Sequence, residues 1–422
     1  MSRTIFVGLL MLAIQGCNPF LKQLQSFSNE NQFHSGFYLY DPAEDKVLVD
    51  HQGDKYFTPA SNTKILTLYA SGLYLDDPLP AFYITEDSTA TYLWPTGNPT
   101  FLNPVLKDTT NYARLASSKK LVLSYNNFDS EIFGPGWAWD DFNYSYSPEL
   151  SPFPIYSNLA RFELDSITHK LEVSPRFLKH SMTIEKGERF SVSRDQSSNQ
   201  FKVTIGDCND CVRYRPLRFD EKSLARIYRD TLKVRVSVAS LPRPDTAQLL
   251  TSMPLDSVLK VMMQESDNFL AEQLLLQVAE VVKDTLNTKM AIDSIQSHLN
   301  QFMPDPVIWV DGSGLSRYNM TTPRNLVSLW QELMQVYGKE RLMEIVAIGG
   351  KAGTIEKWYA ADPPYIYGKT GTLRHNHVLS GMLIAKSGRM LLFGYMNNHY
   401  QTGSSFVKEE MERVLREIYE KY

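Results

Sequence analysis

The first readable pattern along the chain is an alternation. "SGFYLYD" and "DKVLVDHQ" flank the turn "PAED" and predict a β-hairpin. In "YFTPASNTKILTLYASGLYL" the period changes: Pro59 and Ser61 are helix-start residues, and Ile65, Leu68, Tyr69 and Leu73 recur at helical spacing. Helical periodicity resumes at "LDSVLKVMMQESDNFLAEQLLLQVAEVV", where Leu255, Leu259, Met262 and Met263 form an apolar face that reads as core. Towards the C-terminus, "HVLSGMLIAKSGRMLLFGYM" holds two apolar runs around Lys386-Ser387-Gly388, a second hairpin. An amphipathic helix over about 406–419 follows.

The middle has another texture. "WPTGNPTFLNP", "GPGWAWDDFNYSYSPELSPFPIYSN" and "PLRFD" are rich in Pro, Gly and aromatics, and "KLEVSP", "RFSVSR" and "FKVTIGD" between them alternate like short strands. The expected organisation is therefore an inserted, mostly β region over 81–245, with 18–80 and 246–422 joining into one unit built on an antiparallel sheet.

Charge and cysteines narrow the classes. With 43 basic and 47 acidic residues in 422, the net charge of -4 excludes the basic footprint of a nucleic-acid binder. "MSRTIFVGLLMLAIQGC" has one basic residue and a short apolar run, too short for a membrane span and suited to an export signal over 1–17. Cys17 after Ile14-Gln15-Gly16 resembles a bacterial lipoprotein signal, although Gln15 stands where a small residue is usual. The expectation is export to the cell envelope, in the periplasm, with membrane association through a lipid on Cys17. Cys208 and Cys211 have no second pair at zinc-ribbon spacing, which leaves a structural pair first, two thiols second and a redox site third.

Candidate chemistry begins with an exclusion. Gly368-Lys369-Thr370 could end a phosphate loop, but the first glycine of G-x-x-x-x-G-K-[ST] would fall at Pro363, and a hairpin follows instead of a helix. Ser61 and Lys64 are three apart on a helix, hence on one face, where a neutral lysine can take the serine proton. A free lysine titrates at about 10.4, so working near neutrality means lowering it by roughly three pH units, about 4 kcal/mol. Burial and a second cation, for which Lys369 is the candidate, are the available means.

Three motifs occur in order: Ser61-Asn62-Thr63-Lys64, Ser266-Asp267-Asn268 and Lys369-Thr370-Gly371. This trio is the signature of penicillin-binding proteins and class A β-lactamases. With "GPGWAWDD", "DGSGLSRYN", "LSGML" and the long insert, the chain resembles the low-molecular-mass class C penicillin-binding proteins, the D-alanyl-D-alanine carboxypeptidase/endopeptidase family, over nearly its whole length. The resemblance implies an α/β (α+β) transpeptidase domain with a five-stranded antiparallel sheet flanked by helices, and two nested inserted domains, the inner one over about 156–215. It also implies a mechanism on peptidoglycan stem peptides, without cofactor or metal and inhibited by β-lactam antibiotics. Ser61 would be the nucleophile, Lys64 its base, Ser266 a proton relay and Asn268 a substrate ligand. Backbone N–H groups of Ser61 and Thr372 would form the oxyanion hole. Lys369 would supply positive potential, Thr370 and Thr372 would bind the terminal carboxylate, and Gly371 would leave room for the ligand. Asp141, with Asp140 competing, resembles the position that binds the amino group of a diaminopimelate side chain, and of the family's arginine only Lys357 in "TIEKWY" is in view.

His375 and His377 form an H-x-H that would put two rings on one strand face as metal ligands, but no third ligand is near in sequence. Two other classes compete with the peptidase: a serine β-lactamase or esterase on the same fold, and a non-catalytic envelope-binding lipoprotein.

Overall fold

The computed structural model describes residues 19–422; the expected signal and Cys17 lie outside the described residues. The chain starts with α1 (Pro19–Glu30) and the hairpin β1 (His34–Asp41) and β2 (Lys46–His51). A 3-10 turn, Ala60–Thr63, then runs straight into α2 (Lys64–Tyr74), which is buried from Lys64 to Ser71. From its end the chain enters the middle region through β3 (Pro80–Glu86), β4 (Thr91–Pro95), α3 (Tyr112–Ala116) and β5 (Lys120–Ser124). Six short strands follow: β6 (Leu159–Leu164), β7 (Leu171–Ser174), β8 (Met182–Arg189), β9 (Ser191–Arg194), β10 (Phe201–Asp207) and β11 (Val212–Pro216). α4 (Glu221–Leu232), β12 (Arg235–Ala239) and β13 (Gln248–Thr251) close the region.

The remainder is α5 (Leu255–Gln264), α6 (Asn268–Lys283), α7 (Thr288–Phe302), α8 (Pro323–Tyr337), α9 (Lys339–Ile345), β14 (Ala347–Ile348), β15 (Ile366–Leu373), β16 (Asn376–Ile384), β17 (Met390–Asn398) and α10 (Ser404–Lys421). Local chemistry sets several of these starts. Thr322 caps α8 by accepting from the Asn325 N–H at 3.2 Å, with Pro323 at the first helical position.

The two ends of the chain meet in one antiparallel sheet of order β14-β15-β16-β17-β1-β2. This corrects the expected five strands to six. The sixth, β14, pairs only two residues, Ala347 with Gly368 and Ile348 with Tyr367, too few to leave a period in the sequence. Both faces are covered, so β16 reads as a continuous apolar run: Val378 and Met382 pack with α2 and α5–α8, while Leu379 and Leu383 pack towards α1 and α10.

The middle region has its own core, in which Phe82, Leu93 and Leu121 join Phe162, Val203 and Tyr228. One sheet has the order β12-β5-β4-β3-β13, and two three-stranded sheets, β11-β6-β7 and β8-β10-β9, lie within 159–216. β13, beyond residue 246, still pairs with β3. Cys208 and Cys211 form a disulfide across the turn from β10 to β11. Among the described residues, no helix is long and apolar enough to cross a membrane.

Candidate active site

Ser61 and Lys64 sit where the 3-10 turn becomes α2, a single tight turn apart. Lys64 Nζ donates to Ser61 Oγ at 3.0 Å, Asn268 Oδ1 at 2.6 Å and the Ser313 carbonyl at 2.7 Å, which engages all three ammonium protons. The side chain is fully buried, and burial is the main cause that lowers its pKa to about 8; the carboxylates of Asp311, Glu272 and Asp267 oppose the fall. Between the two amines, the expected second cation is the one that yields. Burial first and Lys64 second push Lys369 well below the usual lysine range, so its charge is disfavoured where positive potential was expected.

Two residues without the freedom of glycine adopt left-handed backbone beside these groups: Ala60 at φ +48° and Ser266 at φ +59°. Such conformations cost of order 1–3 kcal/mol and persist only where packing dictates them. At Ala60 the packing is Gly314, itself at φ +79°, whose absent side chain would lie 1.9 Å from the Ala60 carbonyl oxygen.

The second motif divides its labour. Asp267 caps α6 by accepting from the Leu270 N–H at 2.9 Å, so Asn268 becomes the first helical residue. Asn268 then faces two ways, accepting from Lys64 and donating from Nδ2 to the Tyr146 carbonyl at 2.8 Å. Ser266 Oγ accepts from Lys369 Nζ at 2.8 Å.

The third motif lies on β15, beside the nucleophile's turn. Asn62 Nδ2 donates to the Lys369 carbonyl at 2.9 Å, Ser380 Oγ on β16 donates to Asn62 Oδ1 at 2.5 Å, and Trp330 Nε1 on α8 donates to Ser380 Oγ at 2.8 Å. Gly371 has a different reason from the one expected. A Cβ there would stand 2.4 Å from the Pro59 carbonyl and 2.8 Å from the Ser61 nitrogen, so the glycine makes room for the turn that carries Ser61 and not for a ligand. Thr370 is 8% exposed and its hydroxyl donates to Thr354 Oγ1 at 2.6 Å, whereas Thr372 is exposed.

The H-x-H reading is also corrected. His377 is buried on β16 with Nδ1 2.8 Å from Thr372 Oγ1, and burial, with Lys408 and Lys369, lowers its pKa to about 3. His375 lies outside the strand at φ +68° and its Nδ1 donates to the Tyr400 carbonyl at 2.9 Å. The left-handed turn breaks the alternation that would have placed the two rings on one strand face.

Ser61, Ser266, Asn268 and Thr372 line one cleft of about 940 Å³, and Lys64 and Lys369 reach it through Ser61 and Ser266. Asp140 and Asp141 line it too. Asp141 accepts from the Tyr146 hydroxyl at 2.7 Å, which ties it to the loop that Asn268 grips. Lys357 does not line the cleft, but Arg317 and Arg374 do, the arginines missed in the sequence. Also missed were Glu272, a polar position of the apolar run after "ESDN", and Asp311 with the Ser313 carbonyl, for which "DGSGLSRYN" was the signal.

Residues 22–418 match the family described as D-Ala-D-Ala carboxypeptidase 3 (S13). Among curated proteins, the D-alanyl-D-alanine carboxypeptidase DacB of Haemophilus influenzae is 27% identical over 416 residues, covering 87% of this chain and 86% of that protein. The crystal structure of penicillin binding protein 4 from Haemophilus influenzae superposes with a TM-score of 0.78 at 21% identity, covering 94% of this chain and 99% of that one. A predatory peptidoglycan endopeptidase from Bdellovibrio bacteriovorus shares the fold with a TM-score of 0.52 at 14% identity, covering 91% and 93% of the two chains.

Proposed function

The chain belongs to the D-Ala-D-Ala carboxypeptidase 3 (S13) family and is a serine peptidase acting on peptidoglycan; on that premise we propose that Ser61 is its nucleophile and Lys64 its general base. The observation that carries this reading is the convergence of two hydrogen-bonded sets in one cleft, Ser61–Lys64–Asn268 and Ser266–Lys369. Lys64, neutral, takes the Ser61 proton as Oγ attacks the carbonyl carbon between the two terminal D-alanines of a stem peptide. The C–N bond breaks, Ser266 passes a proton to the departing amine, and water later hydrolyses the acyl-enzyme. The N–H groups of Ser61 and Thr372 hold the oxyanion, a contribution of about 3 kcal/mol per donor.

The incoming carboxylate meets the exposed Thr372 hydroxyl, and its negative charge favours the ammonium form of Lys369, which burial otherwise disfavours. Thr370 and Gly371 support this strand from beneath, and Asp141, held by Tyr146, receives the ammonium of the diamino acid. A β-lactam, which imitates the substrate, acylates Ser61. The same reading assigns 18–80 and 246–422, apart from β13 on the insert's sheet, to the catalytic unit and 81–245 to an insert with an inner part near 156–215, and locates the protein in the envelope through a lipid on Cys17.

Incubation with a pentapeptide, followed by mass spectrometry, is expected to show loss of one alanine, and cross-linked muropeptides are expected to be split at the same bond type. Unchanged masses in both would sink the proposal. pH supplies a second test. Because the base must be neutral and Lys64 titrates at about 8, acylation is expected to climb with pH in proportion to the neutral amine and to level off above that value. A flat profile from mildly acidic to mildly alkaline pH would remove Lys64 from the role.

A further inference from the structure

Two buried carboxylates next to Lys64 have no part in the mechanism above. Glu272, on α6, is 1% exposed and Asp311 is fully buried. Neither forms a salt bridge; both spend their oxygens on one short turn. Glu272 Oε2 accepts from the Gly312 N–H at 3.0 Å and Oε1 from the Ser313 N–H at 2.7 Å. Asp311 Oδ1 accepts from the Gly314 N–H at 2.9 Å and Asn319 Nδ2 at 2.7 Å, and Oδ2 from the Ser316 N–H at 2.7 Å and Trp137 Nε1 at 2.9 Å. Two acids thereby hold the backbone donors of residues 312, 313, 314 and 316.

The turn so held has one carbonyl aimed at the catalytic amine, that of Ser313 at 2.7 Å from Lys64 Nζ. It cannot slide. Thr67 Oγ1 on α2 donates to the Gly312 carbonyl at 2.7 Å, a Cβ on Gly312 would meet the Ala271 carbonyl at 2.8 Å, and Gly314 presses on Ala60, the residue before Ser61. Trp137 belongs to "GPGWAWDD", the loop that also carries Asp140 and Asp141, so Asp311 joins the cleft's rim to the turn under its base.

We propose that Glu272 and Asp311 are positioning residues for the acylation step: they fix the 311–316 turn so that the Ser313 carbonyl pins Lys64 Nζ at Ser61, and the carboxylate of Asp311 sets the field in which that amine gains and loses its proton. The inference rests on Lys64 as the base. The titratable groups facing Lys64 are Asp311 from the turn, Glu272 and the capping Asp267 from α6, and Lys369 from β15. Burial and the neighbouring Asp311 push the Glu272 carboxyl up to about 8, so near neutrality Asp311 leads in raising the proton affinity of Lys64 against burial, and removing its charge lets that pKa fall further. Asn at 311 keeps the shape but loses the charge and one acceptor oxygen, and Gln at 272 loses one acceptor oxygen.

The test is Asp311→Asn in the full chain, followed by the pH profile of covalent penicillin uptake and by NMR titration of isotopically labelled lysine, with Lys64 assigned by substitution. The expected result is a Lys64 midpoint and an acid limb lower by about one pH unit or more. The plateau is expected to fall roughly 10-fold or more, because the base is weaker and no longer pinned. Asp311→Glu, which keeps the charge, should restore the midpoint but only part of the plateau. A lower plateau with an unmoved midpoint overturns the electrostatic half, and an unmoved plateau overturns the positioning half. If Asp311→Asn does not fold, Glu272→Gln carries the plateau measurement, and a wild-type Lys64 midpoint well below about 8 overturns the electrostatic half. Wild-type protein that takes up no penicillin would refute the peptidase reading, whereas the NMR midpoint would still decide the role of the acid pair.

Discussion

Ser61→Ala is expected to take up no fluorescent penicillin and to release no alanine, while folding as the parent does. The chemical effect is large because the substituted atom forms the covalent bond; removing the nucleophile of such a unit costs roughly 10⁴-fold or more in turnover. The structural effect is small for a reason visible in the contacts. Lys64 is the side-chain partner of Ser61 Oγ, and Lys64 keeps Asn268 and Ser313 when the oxygen is gone. A loss of about 1 kcal/mol or less follows from one part-exposed hydrogen bond. Gel fluorescence and a thermal melt read the two halves. Labelling of the variant at the parent's level would move the nucleophile elsewhere, and a collapsed melting temperature would mean that the loss reports unfolding.

Gly371→Ala is expected to lose acylation by roughly 100-fold or more even though every motif side chain is intact, a loss comparable to removing an oxyanion donor. The added methyl would overlap the Pro59 carbonyl at 2.4 Å and the Ser61 and Asn62 nitrogens at 2.8 and 2.9 Å. These are backbone atoms of the turn that holds the nucleophile, so relief requires β15 and that turn to part. Parting them separates the Ser61 N–H from the Thr372 N–H and stretches the bond from Asn62 to the Lys369 carbonyl. Stopped-flow labelling would give the rate and calorimetry the accompanying loss of stability. Parent-like acylation would show that the two segments yield independently, and the oxyanion assignment would then need revision.

Much of the fold was legible because its signals are local. The hairpin ahead of Ser61, the start of α2 and the hairpin after Lys369 all show their period within a dozen residues. The motif residues were legible by type and spacing. What escaped was set by backbone atoms and by partners far along the chain. Lys64 is held by a carbonyl 249 residues away, and no residue type announces a carbonyl. Glu272 looked like one more polar position of an apolar helix until its two oxygens were found on the 312 and 313 amides. His375 and His377 obey the alternation rule on paper, but a left-handed residue at 375 ends the alternation. Lys369 has the right place, yet two neighbouring buried amines compete for charge, and geometry decides which yields.

The bond from Asn62 to the Lys369 carbonyl closes over 307 residues, and that from Lys64 to Ser313 over 249. Until those distant segments dock, Ser61 is an ordinary alcohol and Lys64 an ordinary amine that titrates at about 10.4. The site therefore cannot ripen piecemeal as the chain emerges: contacts of such high order form late. A growing or half-assembled chain is chemically silent. Penicillin uptake then measures more than catalysis. It counts the molecules whose two ends have found each other, which makes the antibiotic a stopwatch for maturation of this protein.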